Sequence, residues 1–448
     1  MMKFIDHKPS KKQYIKFGIT AVIWILWMIW MRSYWMLIGL PIIFDIFITK
    51  KVNWNPFKQK KGEPKKKWKE WADALIFALV VSTIIKIFIF QLYAIPTGSL
   101  EKTLQIGDRL FVSKLSFGPQ MPNTPISFPL VHNTLPWTKS TNSYVEWLQW
   151  PYKRLAGFGQ VERDDIVVFN FPVGDTILVG YENPDYYEWV RQYGKERLLN
   201  EFEIKGRPVD KKENFVKRCN AIPGDTLLIV DTKVYRNGKL QKAYEGIEHN
   251  YIVKTNGETI NPKAFERLGI YKADVNYNPS SSQYGLPLTD EMVEKLRQFP
   301  SIVSVERMIK TKGERDAGIF PHNPKFNWNV DNFGPLVMPK AGMTIDLTEE
   351  NIILYRRVID VYEQNDYMEQ NGQVFIDGKA VTKYTFKQGY YWMMGDNRHN
   401  SADSRAWGFV PEDHIVGKPV LIFYSLNEEK SFPSNIRWDR IFRLIGKE

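Results

Sequence analysis

Three short segments hold the residue types and spacings most able to do chemistry. The first, Ala94–Gly118 (AIPTGSLEKTLQIGDRLFVSKLSFG), is punctuated by Pro96, Gly98 and Gly107-Asp108, which puts Ser99 in a tight turn before a strand. The second, Phe215–Thr226 (FVKRCNAIPGDT), carries Lys217 on an apolar strand that ends in a Pro-Gly-Asp turn. The third, Met393–Pro411 (MMGDNRHNSADSRAWGFVP), is a polar loop framed by apolar strands. A hydrolytic site needs a nucleophile, a base and an oxyanion stabiliser. None of the six histidines sits in a nucleophile-elbow context and no G-x-S-x-G occurs, which argues against a Ser-His-Asp hydrolase. Metal-ligand spacing is absent, and no cofactor is expected. The single cysteine, Cys219, excludes an intramolecular disulfide and a Cys-cluster zinc site, and reads as a small buried residue of the lysine strand. A lysine accepts a proton only when neutral, and its free pKa is about 10.4. Desolvation favours the neutral amine. Lys217 lies between Val216 and an apolar run, and the neighbouring Arg218 cation is expected to push the same way.

Taken together, these segments resemble the type I (leader) signal peptidases. The first looks like the family's nucleophile box, the second its lysine box and the third its Gly-Asp-Asn-Arg box, where Gly395-Asp396-Asn397-Arg398 opens the longest match. The strand Asp164–Pro172 (DDIVVFNFP) is similar to a family core strand. The resemblance implies a Ser/Lys dyad, with Ser99 as nucleophile and Lys217 as general base. It implies that Ser401 hydrogen-bonds the lysine amine and that Asp403 and Arg405 form a supporting ion pair. It also marks Arg218, Asp396 and Asn397 as supporting residues. The Ser99 N–H and the Thr97 hydroxyl would form the oxyanion hole. The implied reaction is removal of signal peptides from exported preproteins. The implied partners are those peptides, the lipid bilayer and the protein-export machinery, with no nucleic acid. Family substrates carry small residues at the first and third positions before the cut.

Two positions depart from the family box. Leu100 replaces a methionine, which keeps volume and apolarity. Lys102 replaces a proline and spells Ser99-x-x-Lys102, the S-x-x-K of β-lactamases and penicillin-binding proteins. That motif needs its serine at a helix start, whereas Thr103–Val112 reads as turn and strand, and no S-D-N is present. A membrane-anchored scaffold with a relic site and a specialised processing peptidase of the same fold are the alternatives. A soluble self-cleaving repressor lacks membrane spans.

The elements that position these residues begin with the charge distribution. The chain has 448 residues and a net charge of +11, from 61 Lys+Arg against 50 Asp+Glu. Residues 1–70 hold 15 Lys+Arg and 4 Asp+Glu, and thus the whole excess. They also contain Phe17–Met31 and Tyr34–Ile48, two apolar runs broken by Arg32-Ser33. Nine lysines follow between residues 50 and 69, and then a second long apolar stretch, Trp71–Tyr93. The positive-inside rule places the basic N-terminus and the lysine loop in the cytoplasm, which requires an even number of crossings between them. The expected organisation is therefore a transmembrane hairpin (or one long span) over 1–49, a basic cytoplasmic loop over 50–70 and a transmembrane helix over 71–93. A catalytic domain over 94–448 follows, with insertions at about 119–160, 173–213 and 241–370. It is expected on the periplasmic side of the bacterial inner membrane.

The fold class expected is N-terminal transmembrane helices followed by a mainly β, signal-peptidase-like extracytoplasmic domain with α/β insertions. β-rich runs recur at Arg109–Val112, Ile166–Phe171, Thr226–Val230, Val374–Ile376, Tyr390–Met394 and Pro419–Tyr424. Asn237-Gly238 and Asp377-Gly378 suit two-residue hairpin turns. Helical patterns fall at Pro184–Glu203, Thr289–Gln298 and Thr348–Gln364. Segment 119–160, rich in Pro, Trp and Asn, reads either as a surface lying on the membrane interface or as an insertion loop packed on the core.

Overall fold

The computed structural model describes residues 9–52, 67–138, 141–242 and 244–446. Lys3 and Lys8, and most of the basic loop (Lys58, Lys60, Lys61, Lys65 and Lys66), lie outside them. Helix α1 (Lys11–Met31) stops at Arg32, whose backbone is left-handed (φ 47°, ψ 45°). The chain then turns back through a short helical return, Tyr34–Thr49. Gln13 Nε2 donates to Phe47 O (3.3 Å) and Trp24 Nε1 to Met36 O (2.7 Å), so the return runs antiparallel to α1. Gly39 is required at the contact, because a Cβ there would lie 2.3 Å from the Trp24 ring.

Helix α2 (Lys67–Phe88) is the second helix long and apolar enough to cross a membrane. Its 22 residues span roughly 33 Å, close to the hydrocarbon thickness of a bilayer. Its Leu75, Ile76 and Phe77 are exposed, as lipid-facing side chains are. The helix ends earlier than the sequence pattern suggests. Residues 90–93, assigned by hydropathy to the span, belong to strand β1 (Phe90–Ala94) instead. It pairs antiparallel with β2 (Asp108–Ser113), from Phe90↔Ser113 to Ala94↔Arg109, and Phe90 stacks on Phe111 at 4.1 Å. Cross-strand pairing satisfies the backbone here, and hydropathy alone does not register it.

The remaining strands along the main sheet are β3 (Ile166–Asn170), β4 (Asn214–Ala221), β5 (Tyr390–Met394), β6 (Val410–Pro411) and β7 (Ile415–Ser425), and the two-residue strand Arg443–Leu444 pairs with β7. The spatial order is β1-β2-β7-β3-β4-β5-β6, with every pair antiparallel. β3 and β5 are buried at every residue, so both faces of the sheet are covered, which explains their continuous apolar sequence. One core, including Ile95, Leu100, Leu104, Leu110 and Val168, lies under the Ser99 turn. A second, with Val167, Cys219, Met393 and Trp407, lies beside it. Residues 249–307 build a separate four-stranded sheet with its own core around Tyr284, Leu286 and Leu296. Asn237-Gly238 and Asp377-Gly378 both turn hairpins with positive φ at each residue. Segment 119–160 is irregular and exposes Trp137, Trp147 and Phe158, the last 88% accessible. It touches the end of α1: Trp30 Nε1 donates to Ala156 O at 3.0 Å, and Lys153 Nζ to Arg32 O at 3.4 Å.

Candidate active site

The turn after β1 is fixed before any side chain chemistry begins. Ile95 N–H donates to Asp108 O and Gly107 N–H to Ile95 O, which closes residues 95–107 into a loop. Leu104 N–H bonds back to Leu100 O, and both leucines are buried. Ser99 is thereby held at the surface of the core, only 5% exposed. Its carbonyl accepts from Asn397 N–H at 3.1 Å, so the nucleophile box and the Gly-Asp-Asn-Arg loop are joined through backbone.

Lys217 sits on β4 opposite Val167 of β3. Its Nζ donates to Ser99 Oγ at 2.5 Å, across 118 residues of sequence. The amine also lies 5.9 Å from the Phe215 ring centroid, two residues earlier on the same strand face. Burial is the main cause that brings the Lys217 pKa down from 10.5 to about 8, and Arg405 pushes it the same way. The carboxylates of Asp403 and Asp396 oppose them. The cation acting on Lys217 is thus Arg405, and the expectation for Arg218 is corrected. Strand alternation sends the Arg218 side chain to the other face. There it is held by Asp396 through Nε–Oδ1 (2.8 Å) and Nη2–Oδ2 (2.7 Å), with Asp164 O at 3.1 Å and the Tyr244 ring at 4.4 Å. Asp396 nonetheless acts on Lys217, whereas Arg218 is not among the main charges that do.

The third box is arranged around Asp403 and Arg405. Arg405 donates to Asp403 from Nε (2.9 Å) and Nη2 (2.8 Å), and the second carboxylate oxygen also accepts Gly395 N–H at 3.0 Å. Arg405 further bonds Arg398 O at 2.6 Å, which ties the loop to itself. Burial tends to raise the Asp403 pKa, but the Arg405 charge and hydrogen bonds outweigh it and hold it below the usual carboxylate range. Ser401 departs from expectation. Its Oγ is buried and has no hydrogen-bond partner, so the bond to the lysine amine is not made among the described residues. Lys217 is instead turned to Ser99. Ser401 is nonetheless close to the site, since a Cβ on Gly395 would lie 2.3 Å from Ser401 Oγ and 2.7 Å from Ser99 O. Gly395 is therefore a residue that sequence reasoning passed over, although it opens the longest motif. Both side-chain polar atoms of Asn397 are likewise buried without partners.

Lys102 is bonded away from Ser99 and Lys217. Its amine donates to Gly269 O (2.8 Å) and lies 3.2 Å from Glu248, so this departure from the family box ties the turn to the 249–307 unit. Burial, with Glu248 close by, lifts Glu101 to about 8, and burial lifts Glu248 to about 7. Thr97 is exposed at the rim of a groove of about 1270 Å³ that also contains Ser99 and Lys217. Apolar side chains line it near the serine, among them Ile95, Leu110, Val168, Phe171 and Phe215. Its far wall comes from residues 182–192 and 315–357, including Tyr187, Arg191 and Arg357.

A family model described as signal peptidase, peptidase S26, matches residues 68–295 and 337–424. The chain belongs to this family. It is 24% identical over 415 residues to the signal peptidase I of Buchnera aphidicola subsp. Acyrthosiphon pisum, covering 91% of this chain and 93% of that one. The corresponding figures are 25% over 390 residues, 87% and 79%, for signal peptidase I of Haemophilus influenzae. For signal peptidase I of Helicobacter pylori they are 23% over 387 residues, 84% and 92%. The protein is accordingly a serine peptidase of the S26 family, with two membrane-type helices and a β catalytic domain. The match runs through 119–160, 173–213 and parts of 241–370, the segments expected to be insertions, and leaves out 296–336.

Proposed function

We propose that this S26 peptidase removes signal peptides from exported preproteins with Ser99 as nucleophile and Lys217 as general base. The observation that carries this reading is the 2.5 Å contact between Lys217 Nζ and Ser99 Oγ at a buried lysine. Neutral Lys217 takes the Ser99 proton as the serine oxygen attacks the scissile carbonyl. The oxyanion that forms is held by the Ser99 N–H and the Thr97 hydroxyl. Collapse breaks the C–N bond, and the protonated Lys217 gives its proton to the leaving amine. Water, deprotonated by Lys217, then attacks the acyl-enzyme and returns Ser99 to its hydroxyl form. β1 is an edge strand of the sheet and leads directly into Ser99, so an extended substrate pairs by strand addition. The apolar floor at Ile95, Leu110 and Val168 favours small side chains beside the cut.

The topology follows the charge argument. α1 and its return form a hairpin, α2 crosses once more, and the catalytic domain stands on the outer face of the bacterial cytoplasmic membrane, close to the export machinery. The exposed tryptophans of 119–160, a segment that touches the end of α1 through Ala156 and Lys153, rest on the membrane interface. Preprotein processing by the full-length protein, with Ser99→Ala and Lys217→Ala beside it, tests the reading. Loss of processing in both variants is expected. An inactive wild type, or variants that process fully, would overturn it.

A further inference from the structure

A second cavity, of about 170 Å³, opens where α2 meets the β domain. Three lysines from separate parts of the chain line it. Lys86 belongs to the last turn of α2. Lys114 follows β2, and its N–H is fixed to Ile89 O at 2.9 Å, one residue beyond the helix. Lys211 closes the short turn Val209–Lys211 and is 6% exposed, with its Nζ 5.2 Å from the Tyr144 ring centroid.

The charges in this cavity are not balanced. Among the described residues, Asp210 is the one carboxylate acting on both Lys114 and Lys211. Asp210 is partly committed elsewhere, since its Oδ2 accepts both the N–H (3.0 Å) and the hydroxyl (2.8 Å) of Thr124. His132 also lines the cavity, with its Nε2 3.0 Å from Lys212 O, and burial lowers its pKa, so it adds no cation at neutral pH. Three amines against one carboxylate leave an excess of two positive charges in a half-enclosed space. Burial, and then the Lys86 charge, push Lys114 down to about 8; burial first, and Lys86 after it, also lower Lys211. An anion among the three amines removes that repulsion.

The lining of the same cavity also includes apolar side chains, Ile87 of α2, Phe128 and Leu130, among polar ones such as Thr83 and Gln91. Leu130 is 54% exposed and held at φ 65°, a left-handed backbone that leucine rarely adopts. Such a site has a cationic floor for a phosphate and an apolar mouth at the end of a membrane helix, the depth at which headgroups lie.

We propose that Lys86, Lys114 and Lys211 bind the headgroup phosphate of an anionic phospholipid, whose acyl chains lie along Ile87, Phe128 and Leu130. The inference rests on α2 crossing the bilayer and is independent of the Ser99–Lys217 chemistry. Native mass spectrometry of the full-length protein, delipidated in neutral detergent and then offered phosphatidylglycerol or phosphatidylcholine of identical chains, tests it. Wild type should retain phosphatidylglycerol preferentially. Each Lys→Gln change at 86, 114 or 211 should weaken retention about fivefold, from about 1 kcal/mol per basic residue near the membrane surface. Triple Lys→Arg, which keeps the charge, should retain the lipid, and Lys295→Gln, at an exposed lysine of the 249–307 unit that does not line the cavity, should change nothing. Equal retention of the two lipids by wild type, or undiminished retention by the triple Gln variant, refutes the site. Displacement of phosphatidylglycerol by an equal concentration of inorganic phosphate would show a free-anion site and refute the lipid. The two-lipid comparison on wild type decides the matter even if the variants fail to fold.

Discussion

Titrating the peptidase reaction from about pH 6 to about pH 10 perturbs Lys217 through a range where Ser99 itself does not ionise. The expected magnitude comes from the burial of the amine. An ordinary lysine at 10.5 is neutral in only about 0.03% of molecules at pH 7, whereas one at about 8 is neutral in about 9%, a gain of roughly 300-fold in competent base. The logarithm of kcat/KM should therefore rise with unit slope below about pH 8 and level off above it. The same burial has a stability signature with a definite sign. Between about 8 and 10.5 the unfolded chain binds a proton that the folded chain does not, so stability rises with pH through that window. Below about 8 the cost of charging the buried amine is fully present and amounts to ~3 kcal/mol. Lys217→Met removes that cost and also the hydrogen bond to Ser99, worth about 1 kcal/mol, for a net gain of roughly 2 kcal/mol at neutral pH. Thermal unfolding of the full-length protein in detergent should show the inactive variant melting above wild type at pH 7, with the gap closing towards pH 10.5. A rate profile that is flat below pH 8, or whose midpoint stays near 10.5, would refute burial of Lys217 as the source of the base. So would a variant that melts below wild type across the whole range.

Other substitutions address single parts of the site. Thr97→Val removes one proposed oxyanion donor at the groove rim and should lower kcat by about 10²–10³ with KM little changed, in steady-state kinetics on a signal-peptide substrate. Ser401→Ala should leave the melting temperature unchanged or slightly raised in thermal unfolding, because the Oγ it deletes is buried without a partner. A fall in stability would instead mean that this hydroxyl supports the fold. Arg218→Met strands the Asp396 carboxylate in the core and should cost about 3–5 kcal/mol in denaturant unfolding, with much of the loss recovered in Arg218→Met/Asp396→Leu.

Much of this arrangement is legible in the sequence because it is set by near neighbours in the chain. The apolar runs and the excess of +11 within residues 1–70 mark a membrane module. Asn237-Gly238 and Asp377-Gly378 fix two hairpins, since few other pairs accept positive φ at both positions. The Ser99, Lys217 and Gly395–Arg405 motifs are recognisable because each is a turn or strand with its own local chemistry. Tertiary structure decides what depends on partners far away in sequence. Hydropathy reads Phe90–Tyr93 as span, yet pairing with β2 makes it a strand. A sequence places Arg218 next to Lys217, but strand alternation and Asp396, 178 residues away, take it to the opposite face, while Arg405 supplies the field. Ser401 looks bound to the lysine by motif, and in the fold its hydroxyl lies beside Gly395 without a hydrogen-bond partner. Lys102 reads as a disturbance in the nucleophile turn, and the fold gives its amine to Gly269 and Glu248. The type and order of the groups are local properties of the chain. Their distances, burial and pairing arise only when sheet register brings together residues that covalent geometry leaves independent.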